Sequence, residues 1–169
     1  MAGPTQEQVF LVYGVALLTV QQTEKVLKLI LANIITRGSS RASRRLFSDE
    51  RAVFQRTLGQ CLTELRTRVH VEPGFDGTLR EFLEMRNTFA HSAEAIAGWD
   101  MQTEEGRKIA HEFAATLANT ASRVAKVLLA LGLLSDNDLR RQLGGQPFFE
   151  SLEKDVSPFA RATFSPRKR

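Results

Sequence analysis

The chain has 169 residues, 43% hydrophobic and 25% charged, enough to build one domain around a real core, which excludes a disordered or fibrous protein. The formal charge of +4 is carried mainly by arginine, 17 of the 23 basic residues. Guanidinium forks suit phosphate oxygens, so nucleic acid is a candidate partner, with a solvated face and an unstructured tail as the plainer reading of the same charge. The single cysteine, Cys61, rules out an internal disulfide and a multi-cysteine metal centre, and a reducing cytoplasm is the expected setting.

The first predicted element is a helix from Gln6 to about Thr36. Its stripe follows the three-four spacing of Phe10, Tyr13, Leu17, Val20, Leu27, Leu31 and Ile34, and Gly38-Ser39-Ser40 closes it. The apolar run Val9 to Val20 within it is too short to span a bilayer and no basic segment precedes it, so neither a membrane anchor nor a secretory signal is expected.

Six arginines lie between Arg37 and Arg56 against only Asp49 and Glu50, and Arg41, Arg44 and Arg45 are the candidate RNA-binding residues of that run. Ser48 followed by two acids starts a second helix to about Val69, with Phe54, Leu58, Cys61 or Leu62, and Leu65 inward, ended by a turn over Glu72 to Gly77. Thr78 with Glu81 forms a capping box that opens a third helix through Leu79, Phe82, Leu83, Phe89, Ala90, Ala93 and Ile96, leaving at Gly98-Trp99-Asp100. A fourth starts near Thr103 and carries Ile109, Phe113, Leu117, Ala121, Val124, Leu128 and Leu131 to a stop at Gly132.

The expected fold is all-α: an up-and-down bundle of four long antiparallel helices, with a short fifth helix over Ser135 to Leu143. The bundle domain covers residues 1–143. Residues 144–169 form a Gly/Pro-containing tail that ends in Arg167, Lys168 and Arg169, and Phe148, Phe149, Phe159 and Phe164 in it can dock on the bundle or on a partner. Deleting Ser157 to Arg169 is expected to leave folding intact.

Two stripe positions hold charges. Stepping along the third helix by threes and fours meets Arg86, and doing the same on the first meets Glu24. Burying either alone costs several kcal/mol, so each needs a partner, and the two are expected to pair or to line one polar pocket. Asn87 follows Arg86, and His91 lies one turn beyond Asn87 on the same face, whereas Arg86 is about 140° away from His91 around the axis. One regular helix does not aim both at one atom. Either the helix loosens toward Gly98, or a second chain completes the site across a twofold interface.

The run Arg86-Asn87-Thr88-Phe89-Ala90-His91 resembles the HEPN superfamily signature, an arginine and a histidine separated by four to six residues in a small helical bundle. Gln22-Thr23-Glu24-Lys25-Val26-Leu27-Lys28 and Leu79-Arg80-Glu81-Phe82-Leu83-Glu84-Met85 are similar to the segments that precede the motif in such proteins. The resemblance implies metal-independent RNA cleavage by a homodimer whose two motifs meet, with no cofactor, in a toxin–antitoxin or phage-defence setting. It assigns His91 to proton transfer at the ribose 2′-hydroxyl or the leaving 5′-oxygen, Arg86 to the charge on the phosphorane, Asn87 to orienting phosphate or histidine, and Glu24 to support. The products are then a 2′,3′-cyclic phosphate and a 5′-hydroxyl. Where some members carry a tyrosine that an antitoxin enzyme modifies, two residues after the histidine, this chain has Ala93. Other members bind RNA or nucleotide without turnover, so a non-catalytic helical module that binds RNA, nucleotide or a protein partner is the alternative.

The remaining candidates are weaker. His111-Glu112 lacks the second histidine of a zincin helix, leaving no metal site expected. His70 reads as a helix-end residue favoured by the dipole and Cys61 as a buried structural thiol. Trp99 reads as a packing residue, with base stacking as its functional alternative.

Overall fold

The computed structural model describes residues 3–38, 56–135 and 164–166. They form four α-helices, α1 (Gln6–Gly38), α2 (Leu58–Arg68), α3 (Pro73–His91) and α4 (Glu104–Ser135), with a 3₁₀ turn at Ala93–Ala95 and two short strands, β1 (Val69–Val71) and β2 (Phe164–Pro166). The helical class holds, but the arrangement departs from an up-and-down bundle of four long helices. α2 has 11 residues against the 33 of α1 and 32 of α4. α1 and α4 run side by side in the same direction. The Gly3 N–H donates to Glu104 Oε1 at 2.7 Å, Arg107 Nε to the Pro4 carbonyl at 2.9 Å and the Thr23 hydroxyl to the Ala121 carbonyl at 3.1 Å, and farther along Gly132 sits against Ile30. α3 runs the opposite way, from Phe75 beside Val127 of α4 to Arg86 beside Glu24 and Phe89 beside Tyr13, so it returns the chain to the end where α1 begins and α4 starts again there.

Helix starts are set by local chemistry. Thr57 caps α2 in a capping box with Gln60, so no continuous helix runs from Ser48 to Val69; Ser48 itself lies outside the described residues. Glu72 caps α3, its carboxylate accepting from the N–H groups of Gly74 at 2.9 Å and Phe75 at 3.0 Å, while Pro73 occupies the first helical position, where a missing N–H costs nothing. The Glu72–Gly77 stretch is therefore the first turns of α3 and not a separate turn, and Thr78 lies inside the helix. Those bonds also hold the Glu72 carboxyl below the usual carboxylate range. α3 stops at His91, with Ser92 as its C-cap, earlier than the stripe to Ile96 suggested. Gly98 then adopts φ +79°, and Gly106 lies so close to the Asp100 carbonyl that a Cβ there would collide with it.

The core lies where α1, α2, α3 and α4 meet, around Leu27, Leu31, Leu62, Leu65, Leu79, Phe82, Leu117 and Leu128. Cys61 is fully buried among them, and burial pushes its thiol upward, as befits an inert structural cysteine. The N-terminal half of α1 is turned relative to the expected stripe. Val9, Ala16 and Val20 face inward, whereas Phe10 and Leu17 are 64% and 46% exposed.

Val69–Val71 pairs antiparallel with Phe164–Pro166, matching Val69 to Pro166, His70 to Ser165 and Val71 to Phe164. His70 is thus a strand residue, not a helix end. Phe164–Pro166 of the tail is thus docked on β1, so deletion of Ser157 to Arg169 is expected to leave folding intact at some cost in stability. Truncation before Phe164 is expected to lower the melting temperature by a few degrees, about 1 kcal/mol for a short ladder, in a thermal unfolding comparison. The expected fifth helix beyond Ser135, Phe148, Phe149, Phe159 and the basic Arg167–Arg169 lie outside the described residues.

Candidate functional site

α1 and α3 bring the two intrusive charges together. Arg86 Nε donates to Glu24 Oε1 at 2.8 Å, with the side chains 26% and 18% exposed. Each charge, placed in an apolar stripe by its own helix, is satisfied by the other. Arg86 Nη1 donates to Asn87 Oδ1 at 3.2 Å, which leaves Nη2 of the arginine and the amide nitrogen of Asn87 as donors for a ligand. The fork is therefore fixed from two sides while part of it remains open.

His91 is exposed at the last helical position of α3. The helix stays regular to that residue, since the Ser92 N–H still reaches the Thr88 carbonyl at 2.9 Å. Local loosening therefore does not swing His91 toward Arg86. Over five residues the two Cα atoms are separated by about 7.5 Å along the axis as well as by their angle. Within one chain the site is an Arg86–Asn87 donor pair held by Glu24, with His91 on the Asn87 side. The candidate RNA-binding residues Arg41, Arg44 and Arg45 lie outside the described residues.

Sequence reasoning gave Tyr13 to the core stripe and missed its place at this site. Its ring stacks on Phe89, inside the motif, with centroids 4.7 Å apart, and meets Trp99 edge-on at 5.4 Å. Trp99 is thus a packing residue of this cluster. The only available signal was weak: an aromatic in α1, one in the motif and one in the following turn. The Tyr13 hydroxyl is buried without a hydrogen-bond partner, and desolvation raises its pKa to about 12. Tyr13→Phe removes an unsatisfied buried group, so a gain of about 1 kcal/mol at neutral pH is expected in chemical denaturation. A phenol with its folded pKa raised from 10 to about 12 contributes stability that is complete below pH 10 and lost as pH rises toward 12. Wild type should therefore lose stability over that window, and Tyr13→Phe should not share this loss.

No helix of the described residues is long and apolar enough to cross a membrane, and among them no three His, Cys, Asp or Glu side chains gather into a possible metal cluster. No family model, curated protein or solved structure matches the chain.

Proposed function

We propose that the protein is a HEPN-type endoribonuclease of the cytoplasm, acting in a toxin–antitoxin or phage-defence system as a homodimer. The observation that carries this reading is the Glu24–Arg86–Asn87 arrangement one turn from an exposed His91. In the proposed reaction the 2′-oxygen of RNA attacks the adjacent phosphorus and the bond to the 5′-oxygen breaks, giving a 2′,3′-cyclic phosphate and a 5′-hydroxyl. His91 of one protomer accepts the 2′ proton and the partner's His91 protonates the leaving oxygen. Arg86, aimed by Glu24 and Asn87, stabilises the phosphorane charge, and the fixed orientation of its fork means little reorganisation is needed in the transition state.

A second copy is the partner this reading requires, because Arg86 and His91 diverge on one helix. The outer face of α1 is the surface suited to it. Leu11, Val15 and Leu18 are 69%, 51% and 60% exposed, and Gly14 lies among them with open space around it. By helical angle, Phe10 and Leu17 extend that face toward the flank of Tyr13 and Glu24. Leu18→Glu is expected to shift the protein from dimer to monomer in light scattering and to reduce cleavage with it. Control by an antitoxin enzyme acting on a tyrosine has no substrate at Ala93, and the buried hydroxyl of Tyr13 is not presented in its place.

Incubation of the purified protein with total RNA in EDTA, followed by analysis of fragment ends, tests the reading. Cyclic phosphates and 5′-hydroxyls are expected; intact RNA with folded protein overturns catalysis. The observation favouring a non-catalytic binding module is that Glu24 already neutralises Arg86. That alternative predicts RNA association weakened by Arg86→Ala with no cleavage to lose.

A further inference from the structure

At the end of α3 remote from His91, the last turn of α2, β1 and the first turns of α3 surround a cavity of about 420 Å³ lined by Arg66, Val69, His70, Val71, Asp76 and Arg80, among others. Asp76 holds two arginines at once. Arg66 Nε donates to its Oδ1 at 2.6 Å and Arg80 Nη2 to its Oδ2 at 2.6 Å. Burial on its own would raise the Asp76 carboxyl, but the hydrogen bonds and charges of Arg66 and Arg80 outweigh it and hold the group below the usual carboxylate range. Both carboxylate oxygens are engaged, and two guanidinium charges face one carboxylate.

Donors are left over. Arg66 Nη2 is buried and has no hydrogen-bond partner, although it belongs to a side chain that lines the cavity. Buried guanidinium N–H groups are seldom left unmatched, because the desolvation cost is not recovered. Arg80 is 70% exposed and pinned to Asp76 through one nitrogen, so most of its fork faces outward. His70 is exposed on β1 at the same cavity. A phosphodiester in the cavity supplies a negative charge and free oxygens that can accept from the outward-facing nitrogens of Arg80, whereas Arg66 Nη2, closed to solvent, has to turn toward the cavity to share it.

The cavity also has a direction. Arg80, Asn87 and His91 are spaced by seven and four residues, which places them on one face of α3, about 10 and 16 Å from Arg80 along the axis. Glu84 lies on the same face between Arg80 and His91, about 40° from the one and about 20° from the other, so its exposed carboxylate opposes a phosphate placed midway and leaves the two ends of the face as the favourable positions.

We infer that the Arg66–His70–Arg80 cavity binds a backbone phosphate of the RNA strand a few nucleotides from the scissile bond, fixing the strand along α3. This rests on RNA being the ligand of the Arg86–His91 site, whether or not that site cleaves it.

The test uses a fluorescent, fully 2′-O-methylated single-stranded RNA, which keeps the phosphates and lacks the nucleophile. Its binding is followed by anisotropy over a salt series in EDTA for wild type, Arg80→Gln and Arg123→Gln, the last an exposed arginine on α4 lining a different cavity. Arg80→Gln is expected to weaken binding several-fold and to reduce the slope of log Kd against log salt by about 0.7, the loss of one single-strand phosphate contact. Arg123→Gln should leave the slope unchanged, and RNA should shift the Arg66 Nε–Hε resonance in a nitrogen-15 spectrum of the wild type. Equal losses in the two variants overturn the proposal, as does an unchanged slope for Arg80→Gln with no Arg66 shift. A shift produced by inorganic phosphate but not by RNA also overturns it, leaving a small-anion site. Unmodified RNA assayed in parallel separates the two readings. Arg80-dependent binding without cleavage retains this site and removes the ribonuclease, whereas cleavage with Arg80-independent binding does the reverse.

Discussion

His91→Ala is expected to reduce RNA cleavage in EDTA by about 10²- to 10⁴-fold, the usual contribution of a positioned general acid or base. Folding should barely change, because the imidazole is exposed at the C-terminal end of α3. At most it contributes a few tenths of a kcal/mol through the helix dipole when charged. On the same proposal RNA affinity should also persist, since the donors of Arg86 and Asn87 assigned to phosphate remain. Single-turnover cleavage, RNA anisotropy and thermal melting on the same preparations check the three statements together. Equal cleavage by wild type and variant would remove His91 from the chemistry. Mixing wild type with His91→Ala adds a further check on the composite site: if each scissile phosphate needs two histidines, mixed dimers should be far below half activity.

The Glu24–Arg86 pair was legible because a charge inside an apolar stripe stands out against the periodicity, and two such charges on neighbouring helices have one economical solution. The inward face of the N-terminal half of α1 was not legible for the opposite reason. From Val9 to Leu18 almost every residue is apolar, so spacing alone does not select an angle. The angle is settled by packing alongside α4, where Ala110 and Ala114 are fully buried, and Val9 and Ala16 are buried on α1 while Phe10 and Leu17 are exposed. The start of α3 was obscured by Pro73 and Gly74, a dipeptide that ordinarily marks a turn but here follows a capping glutamate. Strand β1 was invisible for another reason: three residues become a strand only through pairing with a segment more than ninety positions away in sequence. His91 could be singled out by spacing, while the stacking of Tyr13 on Phe89 and the cavity at Arg66 are products of tertiary placement.

Glu24→Ala should have the second large effect, and its separate readouts should move in opposite directions. Removal of the carboxylate leaves Arg86 Nε, now bonded at 2.8 Å, without an acceptor in a partly buried position. The cost is expected to be about 1–3 kcal/mol, below that of a fully buried broken pair because water still reaches both side chains. Glu24→Gln keeps an oxygen for Nε while giving up the charge and should lose less. Either change raises the net charge at the candidate site by one, so RNA should bind as well or more tightly. On the proposed mechanism cleavage should nevertheless fall, because the fork assigned to the phosphorane is no longer aimed, and electrostatic stabilisation depends on orientation fixed before the reaction. A purely structural carboxylate would lower stability and leave activity per folded molecule unchanged. Tighter binding with slower turnover, corrected for the folded fraction, instead identifies Glu24 as the residue that positions Arg86. An Arg86→Ala, Glu24→Ala double-mutant cycle on stability then isolates the coupling between them.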